Sequence, residues 1–328
     1  MNKRLIYFFL VVLVAGCKNH GGELIFVEPR ETDAFQFPYF LFIPNGVTEK
    51  EKTFVIVEPN NSGFADDDLQ KHVEKAERTA TIDYYLGNYV ARKLNCPLVV
   101  PVFPRSKTNW KVYTHALDWD VMLQQQPPLQ RIDLQLIEMF KHAQTILNDK
   151  DISSHDQFLL TGFSASGTFA NRFTLLHPAY VRAVAAGGLN GLLMLPEAEL
   201  EQDTLNYPIG TNDMEKLTGS AFQKDRFLKT PQFYFMGQLD DNDAVPYDDA
   251  FSQAEREQIF NLLGEEMQPE RWNNCRQLYK ASQVNADIRL YEGIGHKHPE
   301  EVKEDVVAFF REVGRVTRYI VGVDTINS

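Results

Sequence analysis

Leu159-Leu160-Thr161-Gly162-Phe163-Ser164-Ala165-Ser166-Gly167 runs from a short apolar segment through small residues around a serine and into a helical pattern. A serine on such a sharp strand-to-helix turn has a strained backbone, and the residues two before and two after it must be small to avoid collision. Gly162 and Ser166 meet that demand. The pattern departs from G-x-S-x-G, because the second small residue is Ser166 and the glycine follows one place later at Gly167. Ser164 is the candidate nucleophile, with Ser166 second to it.

Working outward, short apolar runs alternate with helical patterns. The strand-like runs are Glu23 to Val27, Phe35 to Ile43, Thr53 to Glu58, Pro97 to Phe103, Gln157 to Thr161, Val181 to Gly187, Pro231 to Met236 and Asp287 to Tyr291. The later ones are continuously apolar, as expected where both faces of a sheet are buried. Helices are predicted at Ala80 to Leu94, Leu129 to Leu147, Ser166 to His177, Tyr247 to Leu263, Pro269 to Ser282 and Glu300 to Val313. The alternation predicts an α/β fold, a mainly parallel eight-stranded sheet with helices on both faces. The first two strands have no helix between them and are expected to form an antiparallel edge. The stretch from about 190 to 227 is long for a connection and is broken by Pro196, Pro208, Gly210 and Gly219. It is expected to form a small cap insertion beside the site, since long loops in compact domains usually serve function. Residues 23–328 then make a single domain.

A serine hydroxyl near its free pKa is a poor nucleophile and needs a histidine base, itself oriented by a carboxylate. After the strand Pro231 to Met236 comes Gly237-Gln238-Leu239-Asp240-Asp241-Asn242-Asp243-Ala244-Val245-Pro246. Asp240 is the first candidate acid, Asp243 the alternative and Asp241 the third. The last strand is followed by Gly293-Ile294-Gly295-His296-Lys297-His298-Pro299. His296, after a glycine turn, is the candidate base, and His298 is expected to cap the next helix or lie exposed. Serine, acid and histidine each follow a predicted strand, separated by 76 and 56 residues. The oxyanion that forms on attack needs two preorganised donors. One is the backbone N–H of Ala165; the other is assigned to Asn60 or Asn61, after the third strand.

Taken together, GFSASG followed by TFANRFTLLHP, the LDDNDAVP loop and GIGHKHP resemble the α/β-hydrolase superfamily over about residues 22 to 313. Within it they are similar to serine esterases of the polyhydroxybutyrate depolymerase and feruloyl esterase type. That resemblance implies hydrolysis of a small or polymeric ester through an acyl-serine intermediate, and it sets Tyr113 to Asp118 near the site mouth, with His115 either a substrate contact or a packed structural histidine. Two other readings stay open: a peptidase or acyl-aminoacyl hydrolase, and a catalytically silent hydrolase fold acting as a surface binding protein. Chemistry other than the triad has little support in the sequence. His296 and His298 have no third ligand at metal spacing, so no metal is expected. No phosphate-cradling glycine loop or dinucleotide fingerprint is present, so no cofactor is expected either.

The start of the chain, Asn2-Lys3-Arg4, then Leu5 to Val14, then Ala15-Gly16-Cys17, resembles a bacterial lipoprotein signal. A membrane span needs about 20 apolar residues, and a secretory signal core only about 7 to 15. The resemblance implies a signal peptide over residues 1–16, lipidation at Cys17 and a tether over residues 17–22. The mature protein is then anchored in the bacterial cell envelope, and Lys18 after the cysteine points to the outer membrane. Removing residues 1–16 takes away Lys3 and Arg4, leaving 31 basic against 45 acidic side chains, a net charge of −14 in place of −12. Such a surface repels a polyanion, so nucleic acid is not an expected partner. After Cys17 only Cys96 and Cys275 remain. They are expected as buried free thiols, with a single disulfide as the alternative.

Overall fold

The computed structural model describes residues 21–48 and 51–324. Met1 to His20, on which the expected signal peptide, Cys17 lipidation and most of the tether fall, lie outside the described residues. Among the described residues ten strands occur in order: β1 (Gly22–Val27), β2 (Tyr39–Pro44), β3 (Ile56–Val57), β4 (Leu98–Pro101), β5 (Phe158–Phe163), β6 (Val181–Gly187), β7 (Glu199–Leu200), β8 (Asp203–Thr204), β9 (Gln232–Gly237) and β10 (Ala286–Tyr291). Eight of them form one sheet in the order β1-β2-β4-β3-β5-β6-β9-β10, while β7 and β8 form a separate short hairpin. Strand β2 is antiparallel to both β1 and β4. From β4 to β10 the pairing is parallel. The antiparallel edge and the parallel body both match the expectation from the sequence.

Alternation of side chains across each strand divides the core in two. Tyr39, Leu41, Val57, Leu160, Val184, Tyr234 and Met236 enter one apolar cluster. Their neighbours Phe40, Phe42, Ile56, Leu159, Ala183, Ala185, Phe233 and Phe235 enter the other. Both faces are covered, which is why these runs are continuously apolar. Helix Ala165–Leu176 packs its phenylalanines into the first cluster, and the start of helix Glu300–Asp324, through Val302, Val306 and Phe310, closes the second.

Helix boundaries differ from the sequence expectation in several places. The segment read as Ala80 to Leu94 is two helices, Leu69–Thr81 and Leu86–Leu94. Asp68 caps the first, its carboxylate accepting from the Gln70 N–H. The helix expected from Tyr247 starts at Gln253, where Ser252 and Glu255 form a capping box that satisfies N-terminal amides no earlier residue could. Both later cysteines are buried free thiols.

The stretch from about 190 to 227 contains the β7–β8 hairpin and helices Met214–Thr218 and Lys224–Lys229. Leu192 to Leu195, Leu205, Tyr207 and Ile209 are buried in the first cluster. The Tyr207 hydroxyl donates to the Leu117 carbonyl, and the Met194 N–H donates to Asn171 Oδ1 at 2.8 Å.

Candidate active site

Ser164 lies between β5 and helix Ala165–Leu176 with φ 61° and ψ −129°, a conformation a non-glycine residue holds only under constraint. Three contacts supply the constraint. The Ser164 N–H donates to the Gly187 carbonyl of β6 at 2.9 Å, and its carbonyl accepts the Thr168 N–H at 3.0 Å. Ser166 Oγ accepts the Phe163 N–H at 3.0 Å and donates to the Phe163 carbonyl at 2.9 Å. That bridge explains the departure from G-x-S-x-G: the Ser166 side chain closes the turn. The hydroxyl is buried and both its hydrogen bonds go to Phe163, so Ser166 is not placed as a nucleophile. Glycine is required at the flanking positions, since a Cβ on Gly162 would lie 2.3 Å from the Ser166 carbonyl oxygen and one on Gly167 2.5 Å from that of Gly187.

His296 and Asp240 meet beyond the ends of β9 and β10. The Leu239 N–H donates to the Ile294 carbonyl at 2.8 Å, stitching acid loop to histidine loop. Gly237 permits the approach, because a Cβ there would lie 2.3 Å from the Ile294 oxygen. His296 Nδ1 lies 3.0 and 2.9 Å from the two oxygens of Asp240, whose carboxylate is buried. A carboxylate only accepts, so Nδ1 carries the proton and Nε2 keeps its lone pair. The Asn242 N–H donates to Asp240 Oδ1 at 3.0 Å, and its side-chain amide lies 3.4 Å from His296 Nε2. The imidazole also packs on the residue before Ser164, its centroid 4.7 Å from that of the Phe163 ring. Among the described residues no hydrogen bond joins the Ser164 hydroxyl to His296. Such bonds are often long in unliganded enzymes and tighten on substrate binding.

The other carboxylates of the loop face elsewhere. Asp243 forms a two-pronged pair with buried Arg271 at 2.9 and 3.1 Å, and Asp241 is exposed. Asp243 therefore anchors the loop where Asp240 reaches the imidazole.

The second histidine of the last loop does not have the place expected of it. His298 is buried, its ring against Phe163 and Tyr84, and burial pushes its pKa down to about 4. His115 is buried too, its Nε2 2.8 Å from the Phe103 carbonyl, so it supports the fold instead of reaching a substrate.

The oxyanion candidates separate in the same way. Asn60 spends its carboxamide on Phe103, donating to the carbonyl and accepting the N–H, each at 2.9 Å. Asn61 lies beside the elbow, its amide 3.4 Å from the Phe163 carbonyl. The backbone N–H groups of Asn61 and Ala165 have no partner among the described residues. Asn242, which contacts both Asp240 and His296, has no sequence signal of its own.

A cavity of about 440 Å³ adjoins His296 through Asn242 and is lined by Arg105, Trp110, Tyr113, Tyr247 and Asp249. Arg105 stacks over the Tyr113 ring at 3.7 Å and pairs with Asp249 at 2.6 Å. A depression of about 500 Å³ over helix Trp272–Ala281 and β10 holds none of the site residues, so we place no chemistry there.

No protein-family model and no curated protein sequence matches the chain. Solved structures do. Poly(aspartic acid) hydrolase-1 from Sphingomonas sp. KT-1 is similar with a TM-score of 0.55 at 14% identity, over 88% of this chain and 97% of that one. An S-formylglutathione hydrolase from Agrobacterium tumefaciens has a TM-score of 0.48 at 12% identity, over 92% and 98%. A ferulic acid esterase also has 0.48, at 13% identity, over 91% and 100%. At such identities the likeness is one of fold, and with the strand order it shows that the chain has the α/β-hydrolase fold.

Proposed function

We propose that the protein is a serine hydrolase that cleaves carboxylic esters through an acyl-serine intermediate, with Ser164 as nucleophile, His296 as general base and then acid, and Asp240 orienting the imidazole. The observation that carries this reading is the Asp240–His296 contact set against the strained Ser164 elbow. On attack, Ser164 Oγ bonds to the ester carbon and its proton passes to His296 Nε2, while Asp240 stabilises the imidazolium through Nδ1–H. The carbonyl oxygen becomes an oxyanion held by the N–H groups of Ala165 and Asn61. Collapse breaks the bond to the alcohol oxygen, which takes the proton from Nε2. Water, activated by the same nitrogen, then releases the acid and restores the serine. The cavity beside Asn242 is the place for one arm of the ester.

The test is labelling of the soluble chain from Gly21 onward with a fluorophosphonate, with peptide mapping and a Ser164→Ala control. Labelling at Ser164, absent in the control, is expected. A folded wild type that resists the probe would point to the silent binding protein, which the missing Ser164–His296 hydrogen bond favours. Amides turning over faster than esters of the same acyl group would favour the peptidase. The proposal extends to location: a lipid-anchored protein of the bacterial cell envelope, in the outer membrane. It rests on the lipoprotein-like Met1 to Cys17, and a palmitate label that survives Cys17→Ser would overturn it.

A further inference from the structure

Ser62, next after Asn61, is buried between two histidines that the mechanism above does not use. Its Oγ lies 2.6 Å from His72 Nδ1, and its N–H points to His115 Nδ1 at 3.5 Å. The far nitrogens of the two rings face backbone carbonyls, His72 Nε2 at 2.9 Å from Asp66 O and His115 Nε2 at 2.8 Å from Phe103 O. A carbonyl oxygen only accepts, so each Nε2 carries a proton and each Nδ1 is an acceptor. Ser62 therefore donates twice, its hydroxyl proton to His72 and its amide proton to His115. Burial pushes the His115 pKa down to about 3, which keeps that ring neutral. The Phe64 ring stacks on His72 with centroids 5.5 Å apart, and the two imidazoles meet edge to face at 5.7 Å. On the other side of Asn61, Asn60 is tied to both backbone groups of Phe103. The loop is thus fixed one residue before and one residue after Asn61, and among the described residues the Asn61 N–H between them has no hydrogen-bond partner.

We propose that Ser62, held by His72 and His115, is a positioning residue that sets the Asn61 N–H as the second oxyanion donor. The role rests on the serine-hydrolase reading. A loop free to turn by a few tenths of an ångström would still bind the ester but would lose the developing charge, so the effect falls on the chemical step.

The experiment compares Ser62→Ala, His72→Phe and His72→Asn with the wild type on one activated ester, and measures inhibition by phenylboronic acid, whose tetrahedral serine adduct puts an oxygen in the same hole. His72→Phe keeps a ring against Phe64 and removes the acceptor; His72→Asn restores an acceptor near the place of Nδ1. Loss of a whole oxyanion donor costs about 10²- to 10³-fold in kcat, so a misplaced one is expected to cost about 10- to 100-fold in Ser62→Ala and His72→Phe. KM should stay within about twofold, boronate affinity should fall in step with kcat, and His72→Asn should recover most of both. Should Ser62→Ala fold poorly, the two His72 variants carry the test. Folded variants with wild-type kcat, or a kcat loss with boronate affinity unchanged, would overturn the positioning role alone. A wild type that no fluorophosphonate labels would instead overturn the serine-hydrolase reading.

Discussion

Glu58 heads the loop that carries Asn60, Asn61 and Ser62, and its carboxyl is buried. Two features favour its charged form: the Gly87 N–H donates to Oε2 at 2.7 Å from the first turn of helix Leu86–Leu94, and Lys75 lies near enough to attract it. Desolvation outweighs both and raises the pKa from 4.5 to about 8. At about 1.4 kcal/mol per pH unit, that rise bounds the cost of ionising Glu58 in the folded protein at about 5 kcal/mol. Local relaxation and water entry should reduce it to about 2 to 3 kcal/mol. The sign follows from linkage. A carboxyl whose folded pKa lies above its unfolded one contributes fully below about pH 4.5, and the contribution is lost as pH rises toward 8. Glu58→Gln keeps an oxygen for Gly87 and removes the titration. Urea unfolding of both proteins at pH 5, 7 and 9 should give a Gln-minus-Glu difference that grows by about 2 to 3 kcal/mol in favour of glutamine. Any fixed packing penalty of the amide cancels in that change. Parallel stability profiles for the two proteins would refute the claim that desolvation dominates at this carboxyl.

Two further expectations concern the site. Asp240→Asn should lower kcat by about 10³- to 10⁴-fold through loss of the tautomer lock, whereas Asp243→Asn should leave kcat within a few fold and cost about 2 to 3 kcal/mol by freeing buried Arg271. Steady-state kinetics beside urea melts separate the two, and the reverse pattern would make Asp243 the triad acid. Ser164→Gly should abolish turnover and raise stability by about 1 to 3 kcal/mol, because glycine relieves the strain at φ 61°. A variant no more stable than Ser164→Ala would show that the elbow stores no strain.

The parts of this molecule legible in its sequence are those whose chemistry is local. The elbow is one, because the steric demand at Gly162 comes from the Ser166 carbonyl and so acts within a few residues of Ser164. The sheet is another, since burial on both faces makes its central strands almost continuously apolar, as in β2, β4 and β9. Helix Leu69–Thr81 was hidden because its buried face, His72, Ala76, Thr79, Ala80 and Thr81, is polar or small. The long apolar side chains that mark a helical stripe are absent there.

Choosing among similar groups needs partners far away in the chain. Asp240 and Asp243 share one acidic loop, yet the structure separates them by Arg271, 28 residues beyond Asp243, and His296, 56 beyond Asp240. Asn60 and Asn61 are adjacent and identical in type, but Phe103, 43 residues on, occupies the first carboxamide and leaves the second at the elbow. The same holds for the histidines: His298, two residues after His296, is buried as support, and so is His115, while His72 sits on helix Leu69–Thr81, away from the motif loops. A loop at a strand end thus advertises which residue types the chemistry requires. The individual residue that meets the requirement is selected by long-range contacts that restrain its neighbours, and substitutions at those restraining partners should therefore reveal the roles more sharply than exchanges within the loop itself.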